Sequence, residues 1–275
     1  MSNQVFFGKK YSKNILEYFY EEGLNKYFPF DERTKKYSAF HGVKKIDEPY
    51  HAELDDLVRL HKLVRKRKVF TILEFGVGYS TIVMADAIKK NQIDFQKNNQ
   101  KPNIRISNQF KIFSVDTSKD WIQKMKKSIP KNLKKNIQIS HSEVYLSTFN
   151  DRICHYYQKI PNIIPDFIYV DGPFNLDIRG EKNGLNYKNL DRTVMMGDLL
   201  LMEPTMLPGT LILFDGRTNN ARFSKNNFQR QYNYKYDKRA DITTFELIEE
   251  PIGEYNENQI IFCLGKNHLK KMRKV

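Results

Sequence analysis

Residues 69–81 read VFTILEFGVGYST. Val69, Phe70, Ile72 and Leu73 form the apolar, partly β-branched run expected of a strand buried on both faces. The run stops at Glu74, and Gly76 and Gly78 follow, spaced one apart. Glycine tolerates positive φ and carries no Cβ, so a ligand can lie directly against such a turn. Ser80 and Thr81 are expected to cap the next helix, whose first N–H groups point back toward the same ligand. This geometry suits a nucleotide-like molecule at the carboxyl edge of a parallel sheet.

Outward from this stretch the chain repeats the pattern. Tyr50 to Lys66 carries Leu54, Leu57, Val58, Leu60, Leu63 and Val64 at spacings of three and four, which predicts an amphipathic helix leading into the first strand. Phe110 to Val115 is a second strand tipped by Asp116, with Thr117 beside it. Asn136 to Val144 is a third, with Glu143 near its end. Asp166 to Val170 is a fourth, running into Asp171-Gly172-Pro173, and Thr210 to Phe214 a fifth, ending at Asp215. Helices are expected at Ser80–Lys90, Lys119–Ser128, Thr148–Lys159 and Asp191–Met202. The polar stretches 91–108 and 174–190 read as insertions. Asn219 to Gln231 reads as helix or loop. Ile242–Ile248 and Gln259–Leu264 are two last strand candidates, expected to form an antiparallel hairpin.

A dinucleotide fingerprint would be G-x-G-x-x-G, but Thr81 stands at the third glycine. The segment E-F-G-V-G-Y-S-T instead resembles the first motif of the class I S-adenosylmethionine-dependent methyltransferases. V-D-G-P at 170–173 is similar to the segment of that superfamily where methyl group and acceptor meet. The resemblance runs over about Phe70 to Gly265. It implies an α/β fold: a doubly wound, mainly parallel, Rossmann-like seven-stranded sheet with helices on both faces. Residues 1–65 would form an N-terminal helical extension or lid, with Asn14–Phe28 as a helix and a loop through Pro29, His41-Gly42 and Pro49. Residues 66–275 would form the cofactor-binding domain.

The resemblance also assigns roles. S-adenosyl-L-methionine would be the cofactor. Glu74 would lie near its methionine end, Gly76, Gly78, Ser80 and Thr81 would form the turn under it, Asp116 with Thr117 would take the ribose hydroxyls, and Glu143 would approach the adenine. Asp171 and Asp215 would be the catalytic carboxylates. Methyl transfer requires alignment of acceptor and methyl, and removal of a proton where the acceptor is a hydroxyl. The two carboxylates could bind Mg²⁺ together, or one could act as base without metal. Metal-dependent O-methyltransferases of sugars and catechols usually follow the second Asp with Asp or Asn, and the sugar group places a histidine soon after the first D-G. Gly216 and Pro173-Phe174 stand here, so the metal-free use is favoured.

The expected activity is O-methylation of a small molecule or saccharide. Lys and Arg number 46 against 32 Asp and Glu, a net charge of +14. That excess keeps two alternatives open: an RNA methyltransferase, and a catalytically silent cofactor-binding protein of the same fold. The excess is mostly dispersed lysine, dense only at Arg65–Lys68 and Lys266–Arg273. No H-E-x-x-H, G-x-S-x-G or P-loop pattern occurs, which leaves hydrolase and kinase readings without support. Cys154 and Cys263 stand far apart in no C-x-x-C pattern and read as free thiols. The polar start MSNQVFFGKK and the lack of a long apolar run lead to the expectation of a cytoplasmic protein.

Overall fold

Alternate side chains of a strand point to opposite faces, and this sorts the central strands into two cores. Ile72, Ile112, Phe167, Tyr169, Leu211 and Leu213 pack into one buried cluster. Leu73, Phe75, Phe113, Ile168, Ile212 and Phe214 pack into another. The computed structural model of the chain describes residues 5–6, 9–10, 12–28 and 53–274. The loop expected through Pro29, His41-Gly42 and Pro49, and the helix start expected at Tyr50, lie outside the described residues.

The chain begins with strands β1 (Val5–Phe6) and β2 (Lys9–Lys10) and helices α1 (Lys13–Glu21) and α2 (Leu54–Lys66). Then come β3 (Thr71–Phe75), α3 (Tyr79–Lys97), β4 (Lys111–Asp116), α4 (Lys119–Ser128) and β5 (Ile137–His141). A hairpin of β6 (Val144–Phe149) and β7 (Arg152–Tyr157) precedes β8 (Phe167–Val170), β9 (Ile178–Arg179) and α5 (Asp198–Met202). The chain continues through β10 (Leu211–Asp215), α6 (Thr218–Asn227), β11 (Tyr232–Asp237), β12 (Ile242–Leu247), α7 (Gly253–Leu264) and α8 (Lys266–Met272).

Seven strands form the main sheet in the order β11-β12-β10-β8-β3-β4-β5. From β10 to β5 all neighbours are parallel, while β12 runs antiparallel to both β10 and β11. This is the doubly wound, mainly parallel sheet expected from the sequence. Helices α1 to α4 share the first core, and β6, α5 and α6 contribute to the second.

A buried polar chain ties α1 to the sheet's helical layer. The Tyr18 hydroxyl donates to His61 Nδ1 at 2.7 Å, and His61 Nε2 reaches Asp86 Oδ2 at 3.1 Å. The Tyr27 hydroxyl donates to Asp86 Oδ1 at 2.6 Å, and Lys90 lies 2.8 Å from the same carboxylate. Burial acts to raise the Asp86 carboxyl, but His61, Lys90 and Tyr27 outweigh it and hold the group well below the usual range.

Four expectations are corrected. Thr148–Lys159 is not a helix but the β6–β7 hairpin, turning at Asn150 and Asp151 with φ of 46° and 61°. Two successive positive φ values are the mark of a two-residue hairpin turn, for which asparagine and aspartate are suited. The closing hairpin pairs 232–237 with 242–247, while Gln259–Leu264 belongs to α7, where Ile260 and Leu264 meet α8. A short apolar run is compatible with either element. Helix α3 runs on through Asn91 to Lys97, because the Asn91 amide donates to the Val64 and Val69 carbonyls and Phe95 enters the first core. The helix expected over Asp191–Met202 is confined to Asp198–Met202.

Among the buried side chains without a hydrogen-bond partner is a histidine. His155 on β7 is fully buried between Tyr157 and Tyr187, and both its ring nitrogens are unpartnered. Burial, aided by Arg217, pushes its pKa down to about 3. The unfolded chain therefore binds a proton that the folded chain refuses, and stability from this residue is lost as pH falls below about 6.5. Replacing His155 with leucine should raise stability by about 2 kcal/mol more at pH 5 than at pH 8. Urea unfolding at the two pH values reads this out, and an equal effect at both would contradict it.

Candidate functional site

Glu74 ends its strand with a fully buried carboxylate. Its register neighbours across β4 and β8 are Ser114 and Tyr169. Three hydroxyls donate to it: Ser80 at 2.6 Å on Oε1, and Thr81 at 2.6 Å with Ser114 at 2.5 Å on Oε2. Burial raises its carboxyl to about 7, with the three hydroxyls pulling the other way. Ser80 and Thr81 are thus turned down onto the strand. Thr81 still accepts the Gly78 N–H at 3.0 Å, but Ser80 caps nothing. Glu74 does not face the rim; it anchors the turn from beneath.

Gly76 has φ of +109°, a conformation that a side chain strains against. Its turn lies back to back with the turn after β8. A Cβ on Gly172 would stand 3.1 Å from Gly76 N, from the Phe75 carbonyl and from the Tyr157 hydroxyl. The Gly172 N–H donates to Phe75 O at 2.7 Å, and Asp171 N–H to the same oxygen at 3.0 Å. A Cβ on Gly78 would meet only Ser80 Oγ, at 3.8 Å, so the backbone there is open to close approach.

Asp116 closes the far side of the turn. Its Oδ2 accepts the Val77 N–H at 3.0 Å and its Oδ1 the Ser118 N–H at 2.8 Å, with the Thr117 N–H acting on it as well, so the carboxylate keeps some acceptor capacity. Burial lifts its carboxyl to about 6. The Thr117 hydroxyl donates to Asp177 at 2.6 Å. The chain's one tryptophan, Trp121 on α4, donates its indole N–H to Val77 O at 2.6 Å. Glu143 stands apart from this group, half-buried and held by Arg179 at 2.7 Å and by the Tyr145 hydroxyl at 2.5 Å.

Asp171 and Asp215 both line a cleft of about 360 Å³ beside the two turns, with Arg192, Arg217 and the first turn of α6. Asp215 accepts the Tyr169 hydroxyl at 2.6 Å, and its pKa is raised by burial. The Asp171 side chain is 56% exposed, open at the mouth of the cleft. Desolvation lifts it to about 7; Arg217 works against that, and Asp215, Asp56 and Asp116 add to it. A second cavity, about 470 Å³, lies at the opposite, amino end of the sheet among Arg67, Thr71, Asp166 and Thr210. None of the sequence-selected residues lines it.

The Asp171–Asp215 pair does not fit a divalent cation. Arg217 already places a guanidinium nitrogen 3.8 Å from Asp171 Oδ1, and Asp215 is engaged by Tyr169. Among the described residues, the acidic group compact enough to hold an ion is Glu53, Asp55 and Asp56, which includes neither.

No protein-family profile matches the chain, and no curated protein sequence matches it. Solved structures do. The SAH-bound methyltransferase PaMTH1 of Podospora anserina aligns over 86% of this chain and 88% of its own, at 14% identity and a TM-score of 0.42. An O-methyltransferase from Bacillus cereus in complex with SAH aligns over 86% and 91%, at 13% identity and a TM-score of 0.39. The SAM complex of the O-methyltransferase TomG of Streptomyces achromogenes aligns over 72% and 81%, at 14% and 0.40. The chain has the class I methyltransferase fold. At these degrees of likeness it is the strand order, with one antiparallel strand between the last two parallel ones, that carries the assignment. No helix among the described residues is long and apolar enough to cross a membrane.

Within this methyltransferase fold, the rim therefore gathers Gly76, Gly78, Asp116, Asp171 and Asp215, with Glu74, Ser80 and Thr81 as its foundation. Trp121, Tyr157 and Arg217 were missed from the sequence. Trp121 could have been found as the lone tryptophan three residues after the helix cap Ser118. Arg217, directly after Asp215-Gly216, left a trace only in its position. The Glu74 foundation is testable by an isosteric change. Glu74→Gln presents one acceptor oxygen to three donors and should cost about 1–3 kcal/mol in urea unfolding; an unchanged midpoint would refute the hub.

Proposed function

We propose that the chain is an S-adenosylmethionine-dependent O-methyltransferase acting on a hydroxylated small molecule or saccharide, in the cytoplasm. The observation that carries this reading is the contact of the two glycine turns, with Asp116 on one side and the Asp171–Asp215 cleft on the other. Bound there, S-adenosylmethionine would supply an electrophilic methyl group on a sulfonium. Gly76 to Gly78 would carry it, Asp116 would take ribose hydroxyls on its remaining lone pairs, and Trp121 would wall the adenosine side. The residues fit this ligand because the turn offers open backbone and a carboxylate with spare acceptor capacity.

Asp171 is the base in this reading. It stands at the open mouth of the cleft, and its carboxyl is raised above the ordinary range toward the pH at which a general base works best. Asp215, fixed by Tyr169, orients the acceptor. Asn175, Thr193, Thr218, Asn219 and Asn220 give the cleft a hydrogen-bonding lining suited to hydroxyl groups.

Thermal shift with S-adenosylhomocysteine tests the cofactor half. At a hundredfold excess over Kd, binding adds about 2.7 kcal/mol, which corresponds to a rise of about 5 °C or more for a chain of this size. Asp116→Ala should weaken binding about tenfold or more by removing the ribose acceptors. No shift at millimolar ligand would overturn the proposal.

A further inference from the structure

Arg217 follows β10 yet spends its guanidinium on the turn after β8. Its Nη1 donates to the Pro173 carbonyl at 2.9 Å and its Nη2 to the Asp171 carbonyl, while the same end lies 3.8 Å from Asp171 Oδ1. The two carbonyls bracket Gly172, the residue in backbone contact with the first glycine turn. Arg217 also lines the cleft itself. One side chain therefore touches the carboxylate, the turn bearing it and the cleft wall.

We propose that Arg217 is a positioning residue of this site: it pins the Asp171–Gly172–Pro173 turn against the first glycine turn and supplies the counter-charge for the Asp171 carboxylate. The inference rests on the methyltransferase reading and names a residue that the motifs left out. The other charged groups that act most strongly on Asp171 are acidic. Asp215 comes from β10, Asp56 from α2, Asp116 from β4, and Glu74 of β3 is coupled to it as well. Arg59 pairs with Asp56 and bears on Asp215, but it is not among the main charges acting on Asp171. Arg217 is the cation that opposes this field at Asp171 itself. A planar fork is needed to span two carbonyls, and lysine, a point charge, can keep only the charge.

Two measurements test it in the full chain. Carboxyl-carbon NMR should show the Asp171 titration moving up by about one pH unit or more in Arg217→Met, and staying near wild type in Arg217→Lys. Calorimetry with S-adenosylhomocysteine should show both variants weakened about fivefold or more through the loosened turn, an amount within the range of one hydrogen bond. An unmoved Asp171 titration in folded Arg217→Met would overturn the proposal. If that variant does not fold, Arg217→Lys decides: unchanged affinity would overturn the clamp, and weakened affinity with an unmoved titration supports it. Wild-type protein that fails to bind S-adenosylhomocysteine sinks the methyltransferase reading instead, and leaves the titration arm standing.

Discussion

The buried Glu74 carboxylate is the constraint on which the rim depends. A charge-capable group without water is costly unless its acceptors are filled, and here three hydroxyls from β4 and the start of α3 fill them. Meeting that demand draws the first turn of α3 down onto the strand tip. The intervening residues must then pass through a tight turn, which Gly76 makes possible at φ of +109°. The turn has a fixed shape because the carboxylate below it has no alternative partners.

That turn in turn fixes its neighbour. Phe75 O accepts both Asp171 and Gly172 N–H groups, so the strand-end backbones of β3 and β8 are joined at the rim. The second turn then carries Asp171 to the cleft, and β10 brings Asp215 and Arg217 alongside. The result is a rim with several carboxylates whose pKa values are raised by desolvation, moderated by a few cations. Carboxyls raised toward neutrality at a cleft suit proton transfer.

Much of this was legible in the chain because each parallel strand is a short apolar run ending at a carboxylate, a pattern that survives without periodicity. Ile72, Ile112, Ile168 and Ile212 sit in such runs, and all four are buried strand residues. The second face was not legible. The β6–β7 hairpin was hidden because its turn residues, Asn150 and Asp151, also suit a helix boundary or a loop, and its strands mix polar and aromatic residues. Tyr232 to Asp237 alternates aromatic and polar side chains as an edge strand should, yet the more apolar Gln259–Leu264 drew the strand assignment. The function of Glu74 as foundation rather than wall depended on where Ser114 points, which register alone decides. Arg217 was invisible for a related reason: its partners are main-chain carbonyls 44 and 46 residues away, and carbonyls have no sequence signature.

A crystal structure with S-adenosylhomocysteine tests the central claim most directly. The account predicts the ribose on Asp116 and the homocysteine end over the contact between Gly76 and Gly172, with Glu74 untouched beneath. Ligand seated instead in the cavity at the amino end of the sheet, or contacting Glu74 directly, would contradict it.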